Sequence, residues 1–104
     1  MNEEKIFGLL GLAHRAGFIA AGAMQTERAL LSGRCKLLLI AADAADETQK
    51  RLEKMTTETG TPMFRALSKL QLGMAVGKSP KAALAVNNIG FASSLRRMVS
   101  SDSV

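Results

Sequence analysis

Residues 36–42 read KLLLIAA, an apolar run that lies between the charges of Lys36 and Asp43. The run is short, and polar residues do not alternate with the apolar ones, which is typical of a strand buried on both faces. A strand of this kind needs a layer of helices on each side of its sheet. The run therefore predicts an α/β protein with a central strand over residues 36–42.

The segments that flank this strand have the spacing and the end signals of helices. Residues 23–32 precede it and are closed by Gly33, and residues 46–59 follow it and are closed by Gly60. Glycine is common at such positions because it readily adopts the left-handed conformation that ends a helix. The strand is therefore predicted to have one helix before it and one after it.

The same alternation continues towards both ends of the chain. A first helix is expected from an Asn2 cap to Gly17, and a fourth from a capping box of Ser68 and Gln71 to Gly77. The apolar stripe of the first helix is formed by Ile6, Leu9, Leu10 and Ala13. The other predicted elements are strands over 18–20, 62–66 and 82–86 and a helix over 91–99.

This order of elements predicts one domain over residues 1–100, with residues 101–104 as a frayed tail. Short connections and right-handed crossovers favour a largely parallel sheet with helices on both faces, and they allow one antiparallel edge strand. A chain of 104 residues is long enough to bury a modest core. The phenylalanines fit positions in that core, and they are Phe7, Phe18, Phe64 and Phe91.

The distribution of charge favours a polyanionic partner. The chain has 14 lysines and arginines against nine aspartates and glutamates, a net charge of +5. Acidic residues gather between positions 43 and 58, where cations neutralise them, whereas residues 65–81 carry cations and no acid. A basic excess is typical of proteins that bind nucleic acid or an acidic membrane surface, although a solvated basic surface is the alternative.

Several other classes of protein are disfavoured by the composition. No apolar run approaches the length of a membrane span, and Glu3 and Glu4 have the wrong charge for a signal peptide. The single cysteine, Cys35, excludes an internal disulfide and a multi-cysteine metal site. We expect a cytoplasmic monomer that binds no membrane, cofactor or metal.

Residues suited to enzyme chemistry are sparse. His14 is the only histidine, and at the end of a predicted helix it serves the helix dipole more readily than catalysis. Cys35 precedes a buried strand and fits a small core residue. Asp43 follows the central strand, where ligand sites form in α/β proteins, but it can also cap the next turn. An enzyme or small-ligand domain would need a pocket that holds both His14 and Asp43.

The second helix begins at residues 22–28, GAMQTER, without Ser, Thr, Asp or Asn as its cap. Its first backbone N–H groups then need another acceptor, for which a phosphate is one candidate; a plain solvent-facing helix start is the other interpretation. Trp and Tyr are absent, which disfavours binding by base stacking on aromatic side chains. Nucleic-acid binding would therefore depend on backbone amides, basic side chains and loop shape.

Three longer segments can be compared with known families. They read LLGLAHRAG over residues 9–17, GAMQTERALLSGRCKLLLIAADAADET over 22–48 and LGMAVGK over 72–78. In this order and spacing they resemble the ribosomal-protein family that binds kink-turn RNA, and most of all its small bacterial YlxQ-like branch. The resemblance covers nearly the whole chain, and it implies a three-layer α/β/α sandwich around a four-stranded mixed sheet.

In that family, the helix after the first short strand begins with a glycine and presents Asn, Glu and Lys to the sheared G·A pairs of a kinked internal loop. The resemblance places these four positions at Gly22, Met24, Gln25 and Arg28. It places the family's acid at Ala42, which Asp43 follows, and the loop that holds an extruded nucleotide at residues 78–83. Because Met24 is not polar and Gln25 is not charged, the resemblance implies an altered or relaxed kink-turn preference.

We therefore expect a non-catalytic RNA-binding protein whose partner is ribosomal or another structured RNA. Gln25 and Arg28 are expected to read base edges, the loop 79–83 to pack against a flipped base, and other cations to contact phosphates. The expected RNA-binding residues are Gly22, Ala23, Met24, Gln25, Arg28, Arg15, Arg34, Lys36, Asp43, Lys78, Ser79, Lys81, Ala82 and Ala83. The alternative is a protein-interaction module on the same fold, with Met24 in an exposed apolar patch.

Overall fold

The computed structural model of the protein describes residues 3–100, in which helices and strands alternate as the sequence predicts. The elements are α1 (Glu3–Arg15), β1 (Ile19–Ala21), α2 (Ala23–Leu31), β2 (Leu37–Ile40), α3 (Asp46–Thr59), β3 (Met63–Arg65), α4 (Lys69–Ala75), β4 (Ala83–Val86) and α5 (Ile89–Ser100). α1 packs against α4 and α5, and α2 packs against α3. The predicted three-layer α/β/α sandwich with a four-stranded mixed sheet is therefore confirmed. The Asn2 cap and the tail 101–104 lie outside the described residues.

The strands lie in the order β1-β4-β2-β3, and β4 is antiparallel to both of its neighbours. Only the pair β2–β3 is parallel, so the expectation of a largely parallel sheet is wrong. The reason is that α4 is short and the chain after it folds back, until the amide of Lys81 donates to the carbonyl of Lys69 at 3.0 Å. β4 therefore begins between the C-terminal ends of β1 and β2, and it runs antiparallel to both strands.

The core is centred on β2 and β4, in which every residue is fully buried. Side chains from the helices cover both faces of these strands, and the largest of them are Ile6, Leu10, Leu30, Leu52, Leu72 and Leu95. Each such side chain contributes about 1.5–3 kcal/mol on burial. The phenylalanines are half-buried, and Phe7, Phe64 and Phe91 pack against the core as expected. Phe18 contacts Phe91, with ring centroids 6.0 Å apart.

The predicted end signals of the helices are present in the structure. Gly60 closes α3 in the left-handed conformation, with a φ of 68°. The Ser68 hydroxyl accepts from the Gln71 amide at 3.1 Å, and the Gln71 side chain accepts from the Ser68 amide at 2.8 Å, so the capping box of α4 is confirmed. Local side-chain chemistry thus fixes where these helices begin and end.

Gly73 lies where the chain after α4 folds back onto that helix. The amide of Lys78 donates to the carbonyl of Gly73 at 2.8 Å, which holds the loop against the helix. A Cβ atom on residue 73 would overlap the backbone carbonyl of Ser79 and lie 2.9 Å from that of Lys78. Only glycine fits this contact, and the contact determines the path of the loop.

We predict that Gly73→Ala lowers the free energy of unfolding by about 1–3 kcal/mol, because the loop backbone must move away from the added methyl group. The measurement is the denaturant midpoint at constant slope. Gly8→Ala is the matched control, since a Cβ on this exposed α1 residue meets nothing within 4 Å, and alanine should stabilise the helix by up to about 1 kcal/mol. Equal midpoints for the two variants would contradict the packing argument.

Candidate nucleic-acid interface

The reversed direction of β4 brings together two segments that are far apart in sequence. The amide of Gly22, at the end of β1, donates to the carbonyl of Ala83 at the start of β4 at 2.9 Å. On the other side of β4, the amide of Ala41 donates to the carbonyl of Ala82 at 2.8 Å. The start of α2 and the loop 78–82 therefore lie side by side. We call this surface, formed by residues 22–25, Arg28 and the loop 78–82, the α2–β4 edge.

Gly22 precedes α2 in a backbone conformation that is almost exclusive to glycine, with φ of 98° and ψ of 157°. It provides no side-chain cap, and in the described part of the chain the amides of Ala23, Met24 and Gln25 have no acceptor. The glycine is thus required by the backbone itself. Its consequence is a helix N-terminus with open N–H groups at the surface.

The side chains of the first turns of α2 divide into a buried and an exposed set. Thr26 is fully buried, and its hydroxyl donates to the carbonyl of Ala23 at 2.8 Å. Met24, Gln25 and Arg28 are exposed, and Met24 has 63% of its surface accessible. Three residues predicted to contact RNA are therefore exposed on α2, Met24 and Gln25 in its first turn and Arg28 in its last.

The one acidic residue of this helix is neutralised by α3. Glu27 forms an ion pair with Arg51 at 2.6 Å, whereas Arg28 has no carboxylate partner among the described residues. A second contact of α3, in which Arg65 of β3 pairs with Glu53 and donates to Gln49 at 2.7 Å, neutralises another acid. The charge left on the exposed face of α2 is therefore the positive charge of Arg28.

The loop that follows α4 places Lys81 beside Gly22. Lys78 and Ser79 are exposed, and Lys81 and Ala82 are half-buried. A Cβ atom on Gly22 would lie 3.8 Å from Cδ of Lys81, so the two segments are in contact distance. Ala83 is fully buried in β4, so its side chain cannot reach a base. The prediction that Ala83 packs against a flipped base is therefore wrong. It contributes only the carbonyl that Gly22 binds.

Asp43 has a structural partner. Its Oδ1 accepts a hydrogen bond from the backbone amide of Lys69, the first residue of α4, at 2.8 Å. The carboxylate thus caps α4 from the end of β2, in addition to the capping box of Ser68. A negative charge is favourable at a helix N-terminus. The alternative interpretation from the sequence was that Asp43 caps the turn that follows it, whereas in the structure it caps α4, 26 residues further along the chain.

Three other predicted RNA-contacting cations do not join the α2–β4 edge. Arg15 lines a groove between α1 and α4, together with His14, Met74 and the residues up to Gly77. Arg34 and Lys36 follow the opposite end of α2, where the amide of Lys36 donates to the carbonyl of Val86 at 2.8 Å. Since Val86 ends the strand that Ala83 begins, these two cations lie about 10 Å away along β4.

The candidate enzyme residues are separated as well. His14 lies in the α1–α4 groove, whose lining residues do not include Asp43. Cys35 is buried, and burial raises the pKa of its thiol to about 11, so the thiol stays protonated at neutral pH and is a poor nucleophile. Among residues 3–100 no group of three or more His, Cys, Asp or Glu side chains is arranged to hold a metal ion. Within the same range no helix has the length and apolar character of a membrane span.

The profile of the ribosomal protein L7Ae/L30e/S12e/Gadd45 family matches residues 4–96. The chain belongs to this family. The match includes α2, the loop 78–82 and both strands that join them. Family membership confirms the resemblance found in the sequence, and it confirms that the protein is not an enzyme.

Relatives in this family extend over nearly the same length. The "RNA-binding protein YlxQ" of Bacillus subtilis is 33% identical over 95 residues, which are 91% of this chain and 95% of that protein. The protein of the same name from Enterococcus faecium is 29% identical over 98 residues, 94% of each chain. These relatives place the chain in the YlxQ-like branch.

Solved structures of the same fold are similar in their backbone. A protein of unknown function from Bacillus halodurans superposes with a TM-score of 0.88 and 29% identity, covering 92% of this chain and 97% of that one. The "Giardia lamblia 15.5kD RNA binding protein" has a TM-score of 0.80 and 22% identity, with 97% and 90% covered. At this identity, the second comparison supports the fold alone.

The structure allows the capping role of Asp43 to be measured. We predict that Asp43→Ala lowers the free energy of unfolding by about 1 kcal/mol, because the Lys69 amide loses its acceptor. Asp43→Asn keeps an oxygen at the same position and should recover most of this loss. The readout is the thermal midpoint of both variants. If Asp43→Asn lowered the thermal midpoint as much as Asp43→Ala does, the negative charge of Asp43 and not its hydrogen bond would be required.

Proposed function

We propose that the protein is a non-catalytic RNA-binding protein that binds a structured, kinked RNA through the α2–β4 edge. The observation that carries the proposal is the hydrogen bond from Gly22 to Ala83, which joins an uncapped helix start to a basic loop. Open amides, Arg28 and Lys81 together suit the backbone of a bent nucleic acid. The names of the YlxQ relatives, both RNA-binding proteins, support the same proposal.

The side chains of this edge have separate roles in the proposal. Arg28 forks to a guanine edge or to a phosphate, and Gln25 both donates to and accepts from a base edge. Lys78 and Lys81 contact phosphates, and the exposed loop around Ser79 packs beside a base turned out of the helix. Arg15 extends the contact along the α1–α4 groove.

The kink-turn preference is proposed to be relaxed. Met24 offers no hydrogen bond where the family has an asparagine, and a good base-edge contact is worth about 1–3 kcal/mol of discrimination. Phosphate contacts then contribute a larger part of the affinity, and they depend little on sequence. The partner would be ribosomal or another structured non-coding RNA, bound by a cytoplasmic monomer that works in translation.

The proposal predicts a strong effect of one cation. Arg28→Ala should weaken binding to a kink-turn duplex about tenfold, because the variant loses a charged, forked contact in the middle of the interface. Lys50→Ala, which removes an equally exposed charge from α3, should leave the affinity nearly unchanged. The measurement is a fluorescence titration at several salt concentrations. Equal effects of the two variants would contradict the proposed interface.

A second variant tests the origin of the relaxed preference. Met24→Asn restores a polar group at an exposed position, so it should increase the ratio of kink-turn to straight-duplex affinity by about tenfold. Met24→Leu is the control, since it keeps an apolar side chain of similar size. No change of this ratio in Met24→Asn would mean that residue 24 does not face the base pairs.

A protein-interaction module on the same surface is the second candidate function. The 63% exposure of Met24 favours it, since a large apolar side chain in solvent is common at protein interfaces. This candidate predicts association that is insensitive to salt, whereas RNA binding weakens steeply as salt increases. The salt series above therefore separates the two functions.

A further inference from the structure

A second group of cations lines a cleft at the opposite end of the sandwich from the α2–β4 edge. The cleft has a volume of about 310 Å³ and opens between the last residues of α2 and α3 and the first turns of α5. Leu30 and Ala92 form part of its apolar floor, and Lys36 and Arg96 lie on its sides. We call it the Lys36 cleft.

The polar groups of the Lys36 cleft suit an anion. Nζ of Lys36 is 3.2 Å from the carbonyl of Gly33, which keeps the ammonium group at the cleft wall. Arg96 is exposed and has no ion pair among the described residues, and Thr61 and Ser93 also line the cleft. The hydroxyl of Thr61 is hydrogen-bonded to that of Thr59 at 2.7 Å. No aspartate or glutamate of residues 3–100 belongs to the lining. A phosphate, which accepts from ammonium, guanidinium and hydroxyl groups, is the complementary ligand.

The partial charges at the ends of the surrounding helices explain why Lys36 lies in the cleft, but they do not explain Arg96. α2 and α3 end at the cleft, and Lys36 offsets their partial negative charge through its bond to Gly33. α5 begins there, with Asn88 accepting from the amide of Phe91 at 3.0 Å, and therefore adds partial positive charge. Arg96 lies two turns further along α5 and adds a full positive charge to the cleft lining. The cleft thus has more positive charge than the fold requires.

The exposed face of α2 connects the cleft to the α2–β4 edge. Met24, Arg28 and Leu31 are exposed at intervals of three or four residues, and Arg34 follows them, exposed, with its Nε 2.8 Å from the Ser32 hydroxyl. The nine residues of α2 span about 14 Å. A nucleic-acid strand that leaves the first turn of α2 can therefore follow this face for a few nucleotides to reach Lys36.

We propose that the Lys36 cleft binds a phosphate of the RNA backbone, so that one RNA contacts both ends of α2. This inference rests on the proposed function and extends it to a second site. Arg34 and Lys36, which are not part of the α2–β4 edge, would then contact the RNA. Arg96 and Ser93 would contact it as well. An RNA that reaches the cleft gains affinity through two further cations.

The experiment is an amide NMR titration with two kink-turn RNAs, one with a stem that ends beside the first turn of α2 and one with a stem several base pairs longer. We expect both RNAs to shift the amides of Gly22 and Gln25, and only the longer RNA to shift those of Lys36, Gly60 and Ser93. Inorganic phosphate is titrated in parallel. Shifts of the cleft amides with phosphate but not with the longer RNA would overturn the inference in favour of a free-anion site.

Two double variants that remove the same number of charges measure how much the Lys36 cleft contributes to RNA affinity. Lys36→Ala with Arg96→Ala should weaken binding of the longer RNA about fivefold and reduce its salt slope by about one, because one phosphate contact is lost, with no effect on the shorter RNA. Lys50→Ala with Lys54→Ala removes the same charge from the exposed face of α3 and should change neither affinity. Thermal midpoints near that of the unaltered protein show that the variants are folded.

The outcomes separate this inference from the proposed function. If the longer RNA shifts Gly22 and Gln25 but not the cleft, the second site is wrong and the α2–β4 edge stands. If neither RNA shifts the amide signals of the α2–β4 edge or of the Lys36 cleft, both proposals fail. If only the cleft responds, RNA binds at Lys36, but the inference that one RNA contacts both ends of α2 is overturned and the α2–β4 edge is not the RNA interface.

Discussion

The pairing of β4 between β1 and β2 is the constraint on which the rest of the structure depends. β2 and β4 are fully buried along their whole length, so helices must cover both faces of the sheet. Because β4 runs against its two neighbours, it begins where they end. The bond between Gly22 and Ala83 is a direct result, and it brings the helix start and the loop 78–82 to one edge of the sheet.

Two glycines allow this arrangement for different reasons. Gly22 has a backbone conformation that other residues rarely adopt, and it lets the chain turn from β1 directly into α2. Gly73 has no strained backbone, but the folded-back loop packs against its Cα, where a side chain would overlap the carbonyl of Ser79. The first glycine sets the direction of the helix, and the second sets the position of the loop beside it.

Ion pairs that involve α3 neutralise acidic residues of α2 and α3, and cations near the two ends of α2 have no such partner within residues 3–100. The ion pair of Glu27 with Arg51 neutralises the acid of α2, and Arg65 does the same for Glu53 of α3. Cations without an ion pair among the described residues lie at both ends of α2, with Lys81 beside its start and Lys36 after its end. Phosphates are spaced regularly along a strand, so a surface with cations at both ends of a short helix suits a nucleic acid better than a small anion.

The sequence by itself determined the layered α/β class, the bounds of α3, the capping box of α4 and the uncapped start of α2. These features follow from neighbouring residues, because periodicity, capping and helix ends act over a few positions. Only the tertiary structure decided the direction of β4, the capping of α4 by Asp43, the burial of Ala83 and the separation of Arg34 and Lys36 from Gly22. Each of these depends on which strands become neighbours, and strand pairing joins residues as far apart as Ile19 and Val86, 67 positions along the chain and beyond the reach of any local pattern.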